Sequence, residues 1–213
     1  MGTITKGILG GFSGTVGTIV GANWRGKDII RSRPKPSSRQ PSEKQLLQQE
    51  KFKLVTQFLR PISAIQKMYF GNRSGAQSRN NLATAYTINE AVMVNAGVPE
   101  LIFSKVLITK GELTGFQNLL VTPQAGNILS FSWTDNSTQG NAQTTDVLGI
   151  ACYCASEKEF VVTDNAVNRS ALTASITLPA HLAAKNVEVY AYFRNQEETS
   201  ASNSLYLGSH TLV

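Results

Sequence analysis

The chain of 213 residues is long enough for one sizeable domain, or a smaller domain with an extended arm. Charged residues make up only 16% and hydrophobic ones 41%, which excludes a disordered polyelectrolyte, and two cysteines exclude a disulfide-stapled scaffold. The formal net charge of +6 is unevenly spread: residues 1–80 hold fourteen Lys and Arg against three acids, a net +11, whereas residues 81–213 hold six against eleven, a net −5. Such a division points to a polyanion or an acidic partner surface at one end, with a solvated lysine-rich helix as the plainer alternative.

Residues 1–41 are rich in glycine, then in basic residues and proline. VGTIVGANW and DIIRSRP are short β-prone runs flanking Arg25-Gly26-Lys27, a plausible hairpin turn, and SRPKPSSRQP should run extended. Residues 7–24 carry no charge, yet six glycines leave too little Leu, Ile and Val for an export signal or a spanning helix. MGTITK lacks the Ser or Thr that N-myristoylation requires, because Lys6 stands there. These features predict a protein made without an export signal and located in the cytoplasm or a virion.

Residues 42–100 read as a helical segment. Ser42 with Gln45 makes a capping box, and Leu47, Leu54, Phe58, Ile62, Ile65 and Tyr69 fall on one helical face. Pro61 should kink or split that helix, and NNLATAYTINEAV should form a second short one. Residues 101–213 read as all-β. The candidate strands are IFSKVLIT, FQNLLVT, ILSFSWT, VLGIACYC, EFVVT, ASITLP, VEVYAYF and SLYLGSHTLV, short and separated by turn-forming clusters. Their spacing predicts an antiparallel β-sandwich with Trp133 plugging the core between two sheets. The Trp133 position, with SITLP, VEVYAYF and SNSLYL after it, resembles a fibronectin type III or related immunoglobulin-like domain, although Val187 or Glu188 stands where a corner tyrosine is expected.

Several stretches invite a chemical reading. Residues 21–28, GANWRGKD, match the Walker A spacing up to the last position, where Asp28 replaces the Ser or Thr that holds Mg²⁺. DIIRSRPKP also cannot supply the helix that a phosphate loop must open, so a tight turn with Gly26 at positive φ is the better reading. Cys152 and Cys154 should point to one face of a strand as core thiols, and His181 and His210 lack the partner spacing of a metal site. No G-x-S-x-G elbow is present, and Glu157, Glu159, Asp164, Glu197 and Glu198 read as solvated surface. The expectation is a non-enzymatic protein with no cofactor, metal or catalytic residue.

What remains is the basic run Arg25, Lys27, Arg31, Arg33, Lys35 and Arg39 beside Trp24. Such a segment can neutralise nucleic-acid phosphates, with Trp24 stacking on a base, or can lie over a neighbouring subunit's acidic surface. The stretches GILGGFSGTVGTIVGANWRGKDIIRSRPKP, FLRPISAIQKMYFG and SKVLITKGELTG resemble an uncharacterised domain-of-unknown-function family common in Bacteroidota and in their phage or prophage regions. That resemblance implies no activity, but it fits a structural protein of a virion. Two functional expectations follow. One is a self-assembling subunit, such as a phage capsid protein, whose arm contacts genome or neighbours. The other is an immunoglobulin-like binding or adhesion module whose loops 135–146 and 195–203 recognise a glycan or protein.

Overall fold

A computed structural model describes residues 3–4, 11–24, 26–35, 40–72, 77–164 and 167–213. The chain forms two compact units, Met1–Ser42 and Glu43–Val213.

The first unit is a small antiparallel meander of β1 (Thr3–Ile4), β2 (Phe12–Val16), β3 (Ile19–Trp24) and β4 (Lys27–Ser32), adjacent in that order. β3 and β4 are joined within the Arg25-Gly26-Lys27 stretch expected to make a hairpin turn. Trp24 pairs with Lys27, Gly26 takes φ +82°, and the Gly26 amide donates to Asn23 Oδ1 at 3.0 Å. A side chain at Gly26 would have to adopt a left-handed conformation that only glycine enters cheaply. Of the tail expected to run extended, residues 33–35 are exposed and belong to no helix or strand, and residues 36–39 lie outside the described part.

The second unit is layered. Its helices are α1 (Glu43–Leu59), α2 (Ser63–Tyr69) and α3 (Arg79–Glu90). Pro61 has no N–H for an i−4 carbonyl and disfavours helix at Arg60, so the long apolar face breaks into α1 and α2. Phe58, Ile62, Ile65 and Tyr69 of that face are buried, with Leu47 and Leu54 half-buried nearer the start. Ser78 caps α3 by accepting from the Asn81 amide at 3.2 Å.

Helix does not extend to residue 100. Val92–Asn95 and Val98–Leu101 form a hairpin, β5 and β6, turned by Ala96 and Gly97 at φ 49° and 85°. A β-branched alternation around Ala-Gly therefore overrode the helical reading. Nor is IFSKVLIT a strand. Phe103–Lys105 is a 3₁₀ turn, and the amides of Ile108 and Thr109 donate to Ser204 Oγ at 2.8 and 3.4 Å instead of to a ladder. Val106 and Ile108 are buried there, so the run is apolar because it is core, without sheet pairing.

Seven strands complete the unit: β7 (Leu120–Gln124), β8 (Ile128–Ser132), β9 (Val147–Cys154), β10 (Glu159–Thr163), β11 (Thr173–Thr177), β12 (Asn186–Arg194) and β13 (Leu205–Thr211). They make two antiparallel sheets, ordered β11-β8-β7 and β10-β9-β12-β13. This is the expected mainly-β, immunoglobulin-like sandwich with a helical segment. Between the sheets lie Leu129, Phe131, Leu148, Ile150, Cys152, Cys154, Val187, Val189, Ala191 and Phe193.

The alternate residues of the same strands explain where the helices go. Ala151, Tyr153, Tyr190 and Tyr192 face the opposite way and share a second core with Val55, Phe58, Leu59, Ile62 and Tyr69. Phe58 meets Tyr153 and Phe160 edge-on at ring separations of 4.8 and 5.0 Å. The tyrosines reach past the apolar layer to polar ends: Tyr190 donates to the Phe103 carbonyl at 2.8 Å and Tyr192 to Asp164 at 2.5 Å.

Among the described residues, the charged pair Arg169 and Asp146 sits fully inside. The Arg169 side chain is inaccessible and pairs with Asp146 at 3.0 Å, while its other N–H groups donate to the carbonyls of Thr114 and Gly115 and to Asn136 Oδ1. Its guanidinium lies 3.9 Å from the Phe193 ring centroid, and its own carbonyl accepts from the Trp133 indole at 2.9 Å. Trp133 itself is buried one residue beyond β8, packed edge-on against Phe116 and Phe193.

Removing one partner of this pair leaves a buried charge unmatched. Asp146→Ala should therefore lower unfolding free energy by about 3–5 kcal/mol in urea titrations, whereas a joint Asp146→Leu and Arg169→Met replacement should recover a large part of that loss.

Candidate functional site on the N-terminal arm

The pairing register of β3 and β4 sorts the arm's side chains. Trp24 opposes Lys27, Ala22 opposes Ile29 and Val20 opposes Arg31, so these six share one face. Asp28 falls on the other face opposite Asn23, whose amide donates to it at 2.8 Å. The described basic side chains of the hairpin thus stand beside Trp24, on the face away from the arm's single acid. All six residues of β4 are exposed, as are Arg33 and Lys35 just after it. Arg25 and Arg39 of the expected set lie outside the described residues.

The hairpin also settles the phosphate-loop question. Lys27 and Asp28 begin a strand, and a strand offers no cluster of N-terminal amides to an anion. The arm is also unusually apolar for an exposed sheet. Val16, Ile19, Trp24, Ile29 and Ile30 are all exposed, Trp24 by 53% and Ile30 by 66%. Ile29 and Ile30 are consecutive, so both faces present large hydrophobic groups.

Where the units divide changes the charge balance. Residues 1–42 hold seven Lys and Arg and one acid, so the whole formal charge of +6 belongs to the arm. Residues 43–213 balance thirteen basic against thirteen acidic groups. The −5 of residues 81–213 is offset by the basic helices in the same compact unit.

Elsewhere the expected candidates are structural. Cys152 and Cys154 are unpaired, buried between the sheets, and burial pushes the Cys152 thiol up to about 12. His181 meets Glu159 at 2.8 Å on the surface, and His210 lies against the Leu207 carbonyl. Glu157 pairs with Lys185 at 2.6 Å, and that hydrogen bond lowers its pKa. Asp164 departs from the solvated reading: it accepts from Tyr192, and its carbonyl accepts from Arg194 at 3.0 Å. Glu198 faces Arg194 at 3.4 Å and remains exposed, as the solvated reading expects. Among the described residues no cluster of three or more His, Cys, Asp or Glu could hold a metal, and no helix is long and apolar enough to cross a membrane.

The two sandwich loops are tied down at their ends. Asn136 and Asp146, which bound loop 135–146, are buried on Arg169, and Asn195 Oδ1 accepts from the amides of Thr199 and Ser200, both at 2.9 Å. Arg169 escaped the sequence reading because NRSA carries no mark of burial, and basic residues are rarely interior.

A family of unknown function, DUF6266, matches residues 11–208. The chain belongs to that family. The DUF6266 match covers most of the arm, the helices and nearly all of the sandwich. No curated protein matches the sequence. Among solved structures, the chain is similar to the fn3 domain of human collagen alpha-1(XX) chain, with 16% identity and a TM-score of 0.34, covering 47% of this chain and 85% of that one. It is also similar to the FN1–FN3 domains of chicken CNTN1, with 11% identity and a TM-score of 0.31, covering 48% of this chain and 32% of that one.

The buried thiols give a direct check on the sandwich. Neither cysteine should react with a disulfide reagent at pH 8 in native buffer, and both should react within the dead time once the protein is unfolded in guanidinium.

Proposed function

We propose that this protein is a non-enzymatic, self-assembling structural subunit, most concretely a virion subunit of the capsid type, whose basic arm contacts nucleic acid or neighbouring subunits. The observation that carries the reading is the arm's small sheet, which exposes large apolar side chains on both faces while holding all of the net charge. A sheet of this size has too little core of its own, and exposed apolar surface of this kind belongs at an interface. The charge favours phosphate on the Trp24, Lys27 and Arg31 face, because residues 43–213 are balanced and offer no net negative surface in return. Neighbouring subunits suit the opposite face, where Ile30 and Ile19 stand. Repetition in a closed assembly would make individually weak contacts collectively strong.

Mass photometry and light scattering of the purified chain should show high-order particles, and removal of residues 1–42 should leave monomers. A clean monomer at high concentration, with and without nucleic acid, sinks the assembly reading. Ligand binding that survives the deletion would instead favour a binding module built on the sandwich loops.

The arm's charge has its own signature. Binding to single-stranded nucleic acid should weaken with salt, and replacing Lys27, Arg31, Arg33 and Lys35 by alanine should flatten the log–log salt slope by about 0.7 for each phosphate no longer neutralised. An unchanged slope would assign those four side chains to protein contacts.

A further inference from the structure

The two sheets of the sandwich end in four outer strands, β7, β10, β11 and β13. An outer strand leaves every second amide and carbonyl without a ladder partner, and proteins blunt such edges with proline, charge or a bulge. β7 carries Pro123, and β10 carries Glu159 with Lys158 just before it. In β13, Gly208 at φ 95° lies within a break in register against β12. β11, TASIT, has none of these: no charge, no proline and an unbroken register with β8 from Thr173 to Thr177.

The ladder determines which groups are left over. The Trp133 amide donates to the Leu172 carbonyl at 3.0 Å, and the Leu178 amide to the Asn127 carbonyl at 2.9 Å. Residues 172, 174, 176 and 178 therefore bond toward β8, while the amides and carbonyls of Thr173, Ser175 and Thr177 point to the open edge. Among the described residues no other strand pairs with them. Their three side chains are exposed, whereas Ala174 and Ile176 turn inward to the core between the sheets.

The chemistry of this edge selects its occupant. A charged strand laid here would lose hydration and meet no counter-charge, which argues against β4 with Lys27, Asp28 and Arg31. A partner strand must also be unblunted, and among the outer strands of the sandwich only β11 itself meets both conditions. Antiparallel self-pairing about a two-fold axis through Ser175 is complementary in detail. Thr173 then stands opposite Thr177 of the second copy, Ser175 opposite its own counterpart, and Ala174 opposite Ile176, a small residue against a large one. No like charges are brought together.

We propose that β11 pairs with β11 of a second copy, antiparallel and centred on Ser175, so that two three-stranded sheets join edge to edge. The pairing rests on the assembly reading above, because one five-residue strand from each copy is too small an interface to hold a dimer unaided.

Cysteine cross-linking of the full chain tests it. Opposed residues that bond to each other across an antiparallel ladder have Cα atoms about 5.5 Å apart, within disulfide reach. Ser175→Cys should therefore give mostly covalent dimers on mild oxidation, since Cys152 and Cys154 are buried and stay unreactive. Thr173→Cys alone should give none, its two copies being roughly 13 Å apart along the strands, but an equal mixture with Thr177→Cys should cross-link. All three side chains are exposed, so the variants should keep the native melting temperature. Particles in mass photometry without a cross-link through Ser175→Cys would overturn the strand pairing and leave the assembly reading standing. Cross-linking of Thr173→Cys alone as readily as Ser175→Cys would also overturn it. A chain that neither forms particles nor cross-links overturns both, and Ser175→Cys dimers without larger particles support the pairing and discard the assembly.

Discussion

Arg169 is the interaction on which the sandwich depends. A fully buried guanidinium is costly unless every N–H finds an acceptor, and here the acceptors are drawn from several separate stretches of chain: Thr114 and Gly115, Asn136, and Asp146. Its aliphatic and planar parts complete the apolar packing against Phe193, and its carbonyl orients Trp133. Burial lowers the Arg169 pKa while Asp146 opposes that shift, so the pair is stable only as a pair. The arrangement fixes where loop 135–146 leaves and re-enters the core. A loop so anchored can vary at its exposed middle without disturbing the sheets beneath it.

The second constraint is a sheet buried on both sides. All eight residues of β9 are buried, because Leu148, Ile150, Cys152 and Cys154 meet the facing sheet while Ala151 and Tyr153 meet the helices. An isolated two-layer sandwich would leave one of those sets in water. The helices are therefore a third layer of one compact unit, and the aromatic contacts of Phe58 with Tyr153 and Phe160 join the layers. Tyr190 and Tyr192 suit this boundary, since each buries a ring and carries its hydroxyl to a polar partner beyond it.

The arm follows a different logic from the rest of the chain. The larger unit encloses two hydrophobic clusters and balances its charges, whereas the arm's small sheet exposes five large apolar side chains and the arm carries the full net charge. The proposed role in assembly rests on these two features. Hydrogen bonds from Asn23 to Asp28 and from Gly26 to Asn23 hold the hairpin tip.

Much of this could be read from residue order alone, because the signals are local. Pro61 marks a helix boundary, Gly26 marks a turn, and the period-two runs from ILSFSWT to SLYLGSHTLV mark strands, each through backbone sterics or alternation within a few residues. The exclusion of a phosphate loop was local as well, resting on Asp28 and the prolines after it. What only the tertiary structure decided is non-local. IFSKVLIT is as apolar as a strand, but its Ile108 amide donates to Ser204 Oγ, 96 residues away. The burial of Arg169 is invisible in NRSA because its acceptors are 23 to 55 residues distant. Local sterics choose helix, strand or turn, but partners for buried polar groups are supplied by whatever the fold brings near, and no spacing along the chain records that.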